Sequence, residues 1–159
     1  MKTVLRSLIA VLLAVFLWTG CNNAQNKWSF SSVGKDTDWA LRDEAQKSLG
    51  NLVGAYTNRN ATQFMDWVSS DYLGTAAVLD SRIRRSFVNY FYIELDWTIT
   101  SVIASSDKNT LAVNVQFRRK LGRKETGEIT PDWASTSVLL RKDGDVYKLL
   151  QQNSPVLFL

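Results

Sequence analysis

The sequence of 159 residues contains no histidine, a single cysteine and only two prolines. Without histidine the chain cannot build imidazole metal sites, nor the Cys-His and Ser-His pairs that activate a nucleophile. One cysteine excludes a disulfide within the chain, and no glycine-rich phosphate loop or dinucleotide fingerprint is present. We therefore expect neither a metal nor a cofactor, and any general acid or base has to be aspartate or glutamate.

What is present is the composition of an ordinary globular protein. Hydrophobic residues make up 45% of the chain and charged residues 21%, which is typical of neither a disordered nor a fibrous protein. The length corresponds to one domain that can bury a core without disulfides. The formal net charge is +4, and two of the positive charges, Lys2 and Arg6, lie in the first twenty residues.

The first twenty residues have the pattern of an export signal. A short positive segment, residues 1–6, precedes an unbroken apolar run, residues 8–18, which is followed by two small residues. This run is too short to cross a bilayer as a helix, because a spanning helix needs about twenty apolar residues. The sequence therefore predicts a signal peptide over residues 1–20.

The end of this segment resembles the lipobox of bacterial lipoproteins. Thr19 and Gly20 stand directly before Cys21, with Trp18 where that family usually has an aliphatic residue. The resemblance implies that Cys21 is acylated and that its acyl chains anchor the protein in a membrane, on the periplasmic side of the bacterial cell envelope. Asn22, by resemblance to enterobacterial sorting, implies the outer membrane. The alternative is a secreted protein that is cut nearby and in which Cys21 is incidental.

Residues 21–37 are predicted to hold the lipidated cysteine and a polar tether without apolar periodicity. The membrane is thus the first expected partner. Nucleic acid is not expected as a partner, because export separates the protein from it and the charge left after removal of Lys2 and Arg6 is small.

Helical periodicity begins at Asp38. Apolar residues recur at spacings of three and four up to Tyr56, which predicts an amphipathic helix. Asn60, with Gln63 three residues later, has the spacing of a capping box and predicts a second, short helix. Gly74 separates it from a third helix. The apolar stripe of that third helix is Leu79, Ile83, Phe87, Tyr90 and Phe91.

The period then changes to two, which is typical of half-buried strands. Residues 93–100 and 111–117 alternate apolar and polar side chains around a turn and predict a hairpin. A third strand is predicted to begin near Glu128 or near Trp133, and a fourth spans residues 146–152. The pattern predicts an α+β domain, in which N-terminal helices pack on one face of an antiparallel sheet of about four strands.

This order of elements resembles the nuclear transport factor 2-like superfamily. The matching stretches are residues 52–60 with Phe64, residues 71–73, residues 113–117 and residues 140–150. The resemblance covers residues 38–159 and implies a cone, in which a strongly curved sheet closes over the helices and leaves a pocket at the wide end. The superfamily contains isomerases, dehydratases, hydrolases and inactive binding modules, so the fold does not choose a function. No catalytic motif of its enzymes can be placed on this sequence.

Aromatic residues are the candidates for lining such a pocket. Two interpretations are open, because these residues either fill the space between sheet and helices or line an apolar cavity for a ligand. The candidate ligand-binding residues are Tyr56, Trp67, Tyr72, Phe91, Trp97, Phe117 and Trp133.

The leading hypothesis is a non-catalytic binding module for a small apolar ligand or a partner protein. The alternative is a hydrolase or isomerase that works through a buried carboxylate in the same pocket, for which Glu94, Asp96, Asp66 and Asp71 are the candidates. A third interpretation is a homodimer formed through the open face of the sheet.

The densest basic cluster also has two interpretations. It either binds anionic headgroups or a cell-wall polymer, or it is a solvated hairpin end. Its members are Arg118, Arg119, Lys120, Arg123 and Lys124.

Overall fold

The computed structural model describes residues 39–159; Cys21 and the predicted tether lie outside this range. Three helices come first, namely α1 (Trp39–Thr57), α2 (Ala61–Asp66) and α3 (Ala76–Asn89). The strands follow as β1 (Tyr90–Ala104), β2 (Thr110–Arg123), β3 (Ile129–Asp143) and β4 (Val146–Gln152). They form an antiparallel sheet in which each strand pairs with the next along the chain. The predicted α+β class is confirmed.

Local sequence signals account for the start of α2 and for the turn between β3 and β4. The Asn60 side chain accepts a hydrogen bond from the Gln63 N–H at 3.0 Å and so caps α2, as the spacing predicts. Gly144 has a φ of +64° at the turn between β3 and β4, a conformation that glycine adopts without strain. Within residues 39–159, no helix combines the length and the apolar character needed to span a bilayer.

The third helix is shorter than its apolar stripe predicts. It ends at Asn89, and Tyr90 and Phe91 belong to β1, where Tyr90 pairs with Arg123. The reason is the run from Tyr90 to Ile93, because aromatic and β-branched residues favour strands. Tyr90 and Phe91 fit both the helical stripe before them and the strand after them. The sequence pattern alone therefore does not show where the helix ends and the strand begins.

The two faces of the sheet differ because side chains alternate along each strand. In β2, Val115 and Phe117 are buried towards the helices, whereas Gln116 between them is exposed. The Trp97 ring lies 4.0 Å from the position that a Cβ on Gly50 of α1 would occupy, which marks the helix-facing side of β1. We call the opposite side, which carries Asp96, Gln116 and Trp133, the outer face.

The C-terminal segment, residues 153–159, completes the core. Leu157 and Phe158 are 0% and 1% exposed. The Gln152 side chain holds Phe158 by two hydrogen bonds, donating to its carbonyl at 3.2 Å and accepting from its N–H at 3.1 Å. The segment follows the last strand without helical or strand periodicity, and the sequence pattern did not predict that it is buried.

We expect Phe158→Ala to lower the free energy of unfolding by about 3–5 kcal/mol, because it leaves a cavity among buried aromatic rings. Val88→Ala is the control, since Val88 is 66% exposed on α3, and should change stability by no more than about 0.5 kcal/mol. Urea unfolding followed by circular dichroism measures both. Equal stabilities for the two variants would mean that the C-terminal segment does not belong to the core.

Candidate functional site

Four of the seven predicted pocket residues belong to the core or its edges and do not line the large cavity on the outer face. Tyr56 is fully buried in the core. Trp67 is half-buried at the end of α2, where its carbonyl accepts a hydrogen bond from the Leu149 N–H of β4 at 2.8 Å. Tyr72 borders a cavity of about 240 Å³ beside the C-terminal segment. Phe91 is 46% exposed at the start of β1.

The space between the helices and the sheet is filled around Tyr56. Its ring centroid lies 5.4 Å from that of Phe158, 5.6 Å from Phe87 and 6.2 Å from Phe64. Burial raises the pKa of the Tyr56 hydroxyl, which accepts a hydrogen bond from the Leu159 N–H at 3.4 Å. Tyr56 thus packs against three aromatic side chains of the same chain, two from helices and one from the C-terminal segment. It presents no surface to a ligand.

Arg119 is a buried cation at the base of this packing, with 4% of its surface exposed. Its Nη1 donates to the carbonyls of Val156 at 3.2 Å and Leu157 at 3.1 Å. Its Nη2 pairs with the carboxylate of Asp132 on β3, and the guanidinium carbon lies 5.4 Å from the centre of the Phe117 ring. Arg119 therefore ties the C-terminal segment to the middle of the sheet.

The other three predicted pocket residues, Trp97, Phe117 and Trp133, border one cavity of about 860 Å³. It is open to solvent on the outer face and is floored by the middle of β1, β2 and β3. Trp133 is 82% exposed and supplies the large aromatic surface, while the side chains of Trp97 and Phe117 belong to the helix-facing side. The full lining is Asp96, Trp97, Thr98, Gln116, Phe117, Arg118, Pro131, Trp133, Ala134 and Ser135.

The register of the sheet explains this composition. Asp96 of β1 lies opposite Arg118 of β2, which lies opposite Trp133 of β3. The next row along the strands consists of Thr98, Gln116 and Ser135. Because side chains alternate, both rows point to the outer face. Asp96 and Arg118 were predicted as candidates for other roles, but Thr98, Gln116 and Ser135 were not predicted as site residues. Their common location depends on the strand register, which the sequence pattern does not reveal.

A second cavity of about 410 Å³ continues the first along the outer face. The two share Ser135, and the second is bordered by further hydroxyl and amide side chains. These are Thr100, Asn114, Ser137, Asn153 and Ser154. Thr136 also borders the cavity, but its side chain is buried and its hydroxyl donates to the Asn153 carbonyl at 3.0 Å. The outer face therefore carries a polar groove that begins at Trp133 and runs towards the end of β4.

At the Trp133 end of the groove, the adjacent cross-strand row contains an ion pair. Lys120 Nζ lies 2.5 Å from Glu94 Oε1, and the Tyr92 hydroxyl also donates to the Glu94 carboxylate. The hydrogen bond from Lys120, followed by that from Tyr92, holds the pKa of Glu94 below its ordinary value. Glu94 is thus an ionised partner in a surface cluster, and this environment does not prepare a carboxyl group to act as a general acid.

The carboxylates proposed for catalysis all lie at the surface. Asp66, Asp71 and Asp96 are exposed, and Glu94 is partly exposed. Among residues 39–159, no aspartate or glutamate is buried, and no cluster of acidic or sulfur ligands in that range could hold a metal ion. The described residues therefore contain no dry carboxylate whose pKa burial would raise for acid-base work.

The predicted basic cluster does not form one surface. Arg119 points into the core, whereas Arg118 and Lys120 lie on the outer face. Arg123 and Lys124 border a separate cavity of about 580 Å³ at the hairpin end. Side chains alternate between the two faces along β2, so the basic residues are divided between them. The signal for this division in the sequence is that the period-two pattern of β2 continues through the basic residues.

Comparison with known structures identifies the fold. No family model matches the sequence and no curated protein matches it. A ketosteroid isomerase-like protein from Erwinia carotovora atroseptica superposes with a TM-score of 0.61 at 14% identity, over 73% of this chain and 95% of that chain. A protein described as NTF2-like from Streptomyces avermitilis has a TM-score of 0.59 at 13% identity, over 72% and 94%.

A hexachlorocyclohexane dehydrochlorinase superposes with a TM-score of 0.57 at 10% identity, over 76% of this chain and 94% of that chain. Helices followed by a curved, unclosed antiparallel sheet are thus shown to be the nuclear transport factor 2-like fold. The names of these neighbours differ in their chemistry, so the shared architecture leaves the function to be argued from the site.

Two adjacent arginines allow a matched test of the role assigned to Arg119, which is to hold the C-terminal segment in the core. We expect Arg119→Met to lower the free energy of unfolding by about 1–3 kcal/mol, because it leaves the Val156 and Leu157 carbonyls without their donor. Carboxypeptidase should then remove the C-terminal residues faster. Arg118→Met, on the exposed outer face, should change stability by no more than about 0.5 kcal/mol. Resistance of the Arg119 variant to carboxypeptidase at the wild-type level would contradict the assignment.

Proposed function

We propose that this protein is a lipid-anchored, non-catalytic binding module of the bacterial cell envelope, and that it binds its partner through the groove on the outer face. The observation that carries the proposal is the contrast between the two sides of the sheet. The helix-facing side is filled by Tyr56 and Phe158, which are 0% and 1% exposed, whereas Trp133 on the outer face is 82% exposed.

The filled interior argues against binding of a small apolar ligand there. A ligand pocket needs free volume that is lined by the residues that recognise the ligand. Tyr56 instead contacts Phe64, Phe87 and Phe158. The outer cavity has the volume of a small-molecule site, about 860 Å³, so it is the better candidate for binding.

A hydrolase or isomerase is the weaker alternative. Such an enzyme needs a carboxyl group in a dry site, together with a hydroxyl or amide donor. The candidates Glu94, Asp96, Asp66 and Asp71 all reach solvent. The residues of this chain therefore do not support assigning it the enzymatic activities named among its structural neighbours.

The membrane anchor rests on Cys21. Acylation of this residue at the end of a signal segment would place the domain beside a bilayer, with residues 22–38 between the anchor and α1. Asn22 supports the outer membrane as its location, on the periplasmic side. A second copy of this chain is one protein partner that the outer face would accommodate.

We expect Cys21→Ser to move the protein from the membrane fraction to the soluble fraction, because the thiol that carries the acyl chains is gone. Mass spectrometry of the wild-type protein should find residues 1–20 removed and acyl chains on Cys21. Asn23→Ser is the control and should leave the fractionation unchanged. An unmodified Cys21 thiol in membrane-extracted wild-type protein would refute the anchor.

A photoreactive amino acid tests the binding surface in living cells. We expect benzoylphenylalanine at Gln116, in the floor of the outer cavity, to give a discrete crosslinked adduct on irradiation. The control is the same substitution at Gln46, an exposed glutamine on α1. Crosslinks that form equally at both positions, or at neither, would contradict a binding site on the outer face.

A further inference from the structure

The chemistry of the groove on the outer face identifies a class of ligand. One end of it carries the exposed ring of Trp133. Beyond the row of Asp96, Arg118 and Trp133, the outward-pointing side chains each offer a hydroxyl or an amide; they include Thr98, Gln116, Ser135 and Asn114. Hydroxyl groups donate and accept, and amides do both at once. A ligand that matches this surface has an apolar face for the indole and many hydroxyl or amide groups around it.

Sugar rings have this combination of groups. The axial hydrogens of a pyranose form an apolar face that stacks on an aromatic ring, and its equatorial hydroxyl groups point sideways to hydrogen-bond partners. Tryptophan offers the largest such ring and keeps a polar N–H at its edge. At 82% exposure, the ring of Trp133 has room for a sugar to lie on it.

The length of the groove favours a chain of sugars over a single one. The cavities of about 860 and 410 Å³ meet at Ser135. From Trp133 to Ser137 the strand advances four residues, which corresponds to about 13 Å at the usual rise per residue. This distance exceeds the length of one pyranose ring, so a single sugar would leave part of the groove empty.

The charges of the groove favour a neutral ligand. The charged side chains that line the groove are Asp96 and Arg118, which stand opposite each other in one cross-strand row. The lining therefore carries one negative and one positive charge. An anionic polymer would meet repulsion from Asp96, and a cationic one would meet it from Arg118.

We infer that the groove from Trp133 to Asn153 binds a neutral oligosaccharide, with one sugar stacked on Trp133 and the following sugars hydrogen-bonded along Gln116, Ser135 and Asn114. This inference rests on the proposed binding function of the outer face and names its ligand. A glycan chain of the cell envelope is the occupant to which it commits.

Isothermal titration calorimetry tests the inference. The probes are the neutral hexasaccharides chitohexaose, cellohexaose and maltohexaose, with hexagalacturonate as the anionic comparison. The protein is the whole membrane-extracted chain, held in a detergent without a sugar headgroup. We expect at least one neutral probe to bind with a Kd of about 1 mM or tighter, and hexagalacturonate to bind less tightly.

Two tryptophans of equal exposure provide the matched variants. Trp133→Ala should weaken binding by about tenfold or more, because stacking is lost, and Trp133→Phe should retain part of it. Trp39→Ala removes a tryptophan that is 81% exposed on α1 and should leave binding unchanged. The inference is overturned if none of the neutral probes binds, if Trp133→Ala binds as the wild type does, or if Trp39→Ala weakens binding equally.

The crosslink at Gln116 separates failure of this inference from failure of the proposed function. An adduct that a muramidase or another glycan hydrolase trims supports the oligosaccharide. An adduct that only a protease removes indicates a protein partner, and an adduct of twice the chain's mass indicates a second copy of this chain. Either result supports the binding function but overturns the inference of an oligosaccharide. Absence of any adduct overturns both.

Discussion

The buried guanidinium of Arg119 is the interaction on which the arrangement of this domain depends. A cation that is 4% exposed is costly to bury unless acceptors surround it, and here two acceptors are the carbonyls of Val156 and Leu157. The hydrogen bonds of Arg119 Nη1 therefore fix the path of the C-terminal segment. That path carries Phe158 into ring contact with Tyr56 and Phe64, so one polar requirement leads to a filled aromatic interior.

Neighbouring residues of β2 have different roles because they point to opposite faces of the sheet. Arg118 and Arg119 are adjacent in β2, yet one borders the solvent-open groove and the other holds the core together. Alternation of side chains makes this separation unavoidable, and the pairing of Arg119 with Asp132 extends it to β3. Trp133 follows Asp132 directly, so it must point outward. The exposed tryptophan and the closed interior are therefore two results of one register.

Periodicity and capping signals were sufficient to predict three helices, the strand order and the α+β class, but not the end of α3 at Asn89. Asn60 caps α2 as its spacing predicts, and the fourth strand has the predicted bounds. The sequence was insufficient where one residue serves two patterns, as at Tyr90, and where burial depends on a distant partner. In the sequence, Arg119 looks like one more member of a solvated basic run. The carbonyls that accept its hydrogen bonds lie 37 and 38 residues away, so no local pattern reveals its burial.

A filled interior changes what the shared architecture implies for function. The family resemblance implies a pocket at the wide end of the cone, and enzymes need such a pocket to hold a substrate away from water. In this chain the aromatic side chains that the resemblance assigns to the pocket are divided between the core, as Tyr56 is, and the outer face, as Trp133 is. Binding energy is available where an aromatic ring can still lose solvent. By this physical criterion the outer face, rather than the interior of the cone, is the side of the sheet to which we assign the proposed binding function.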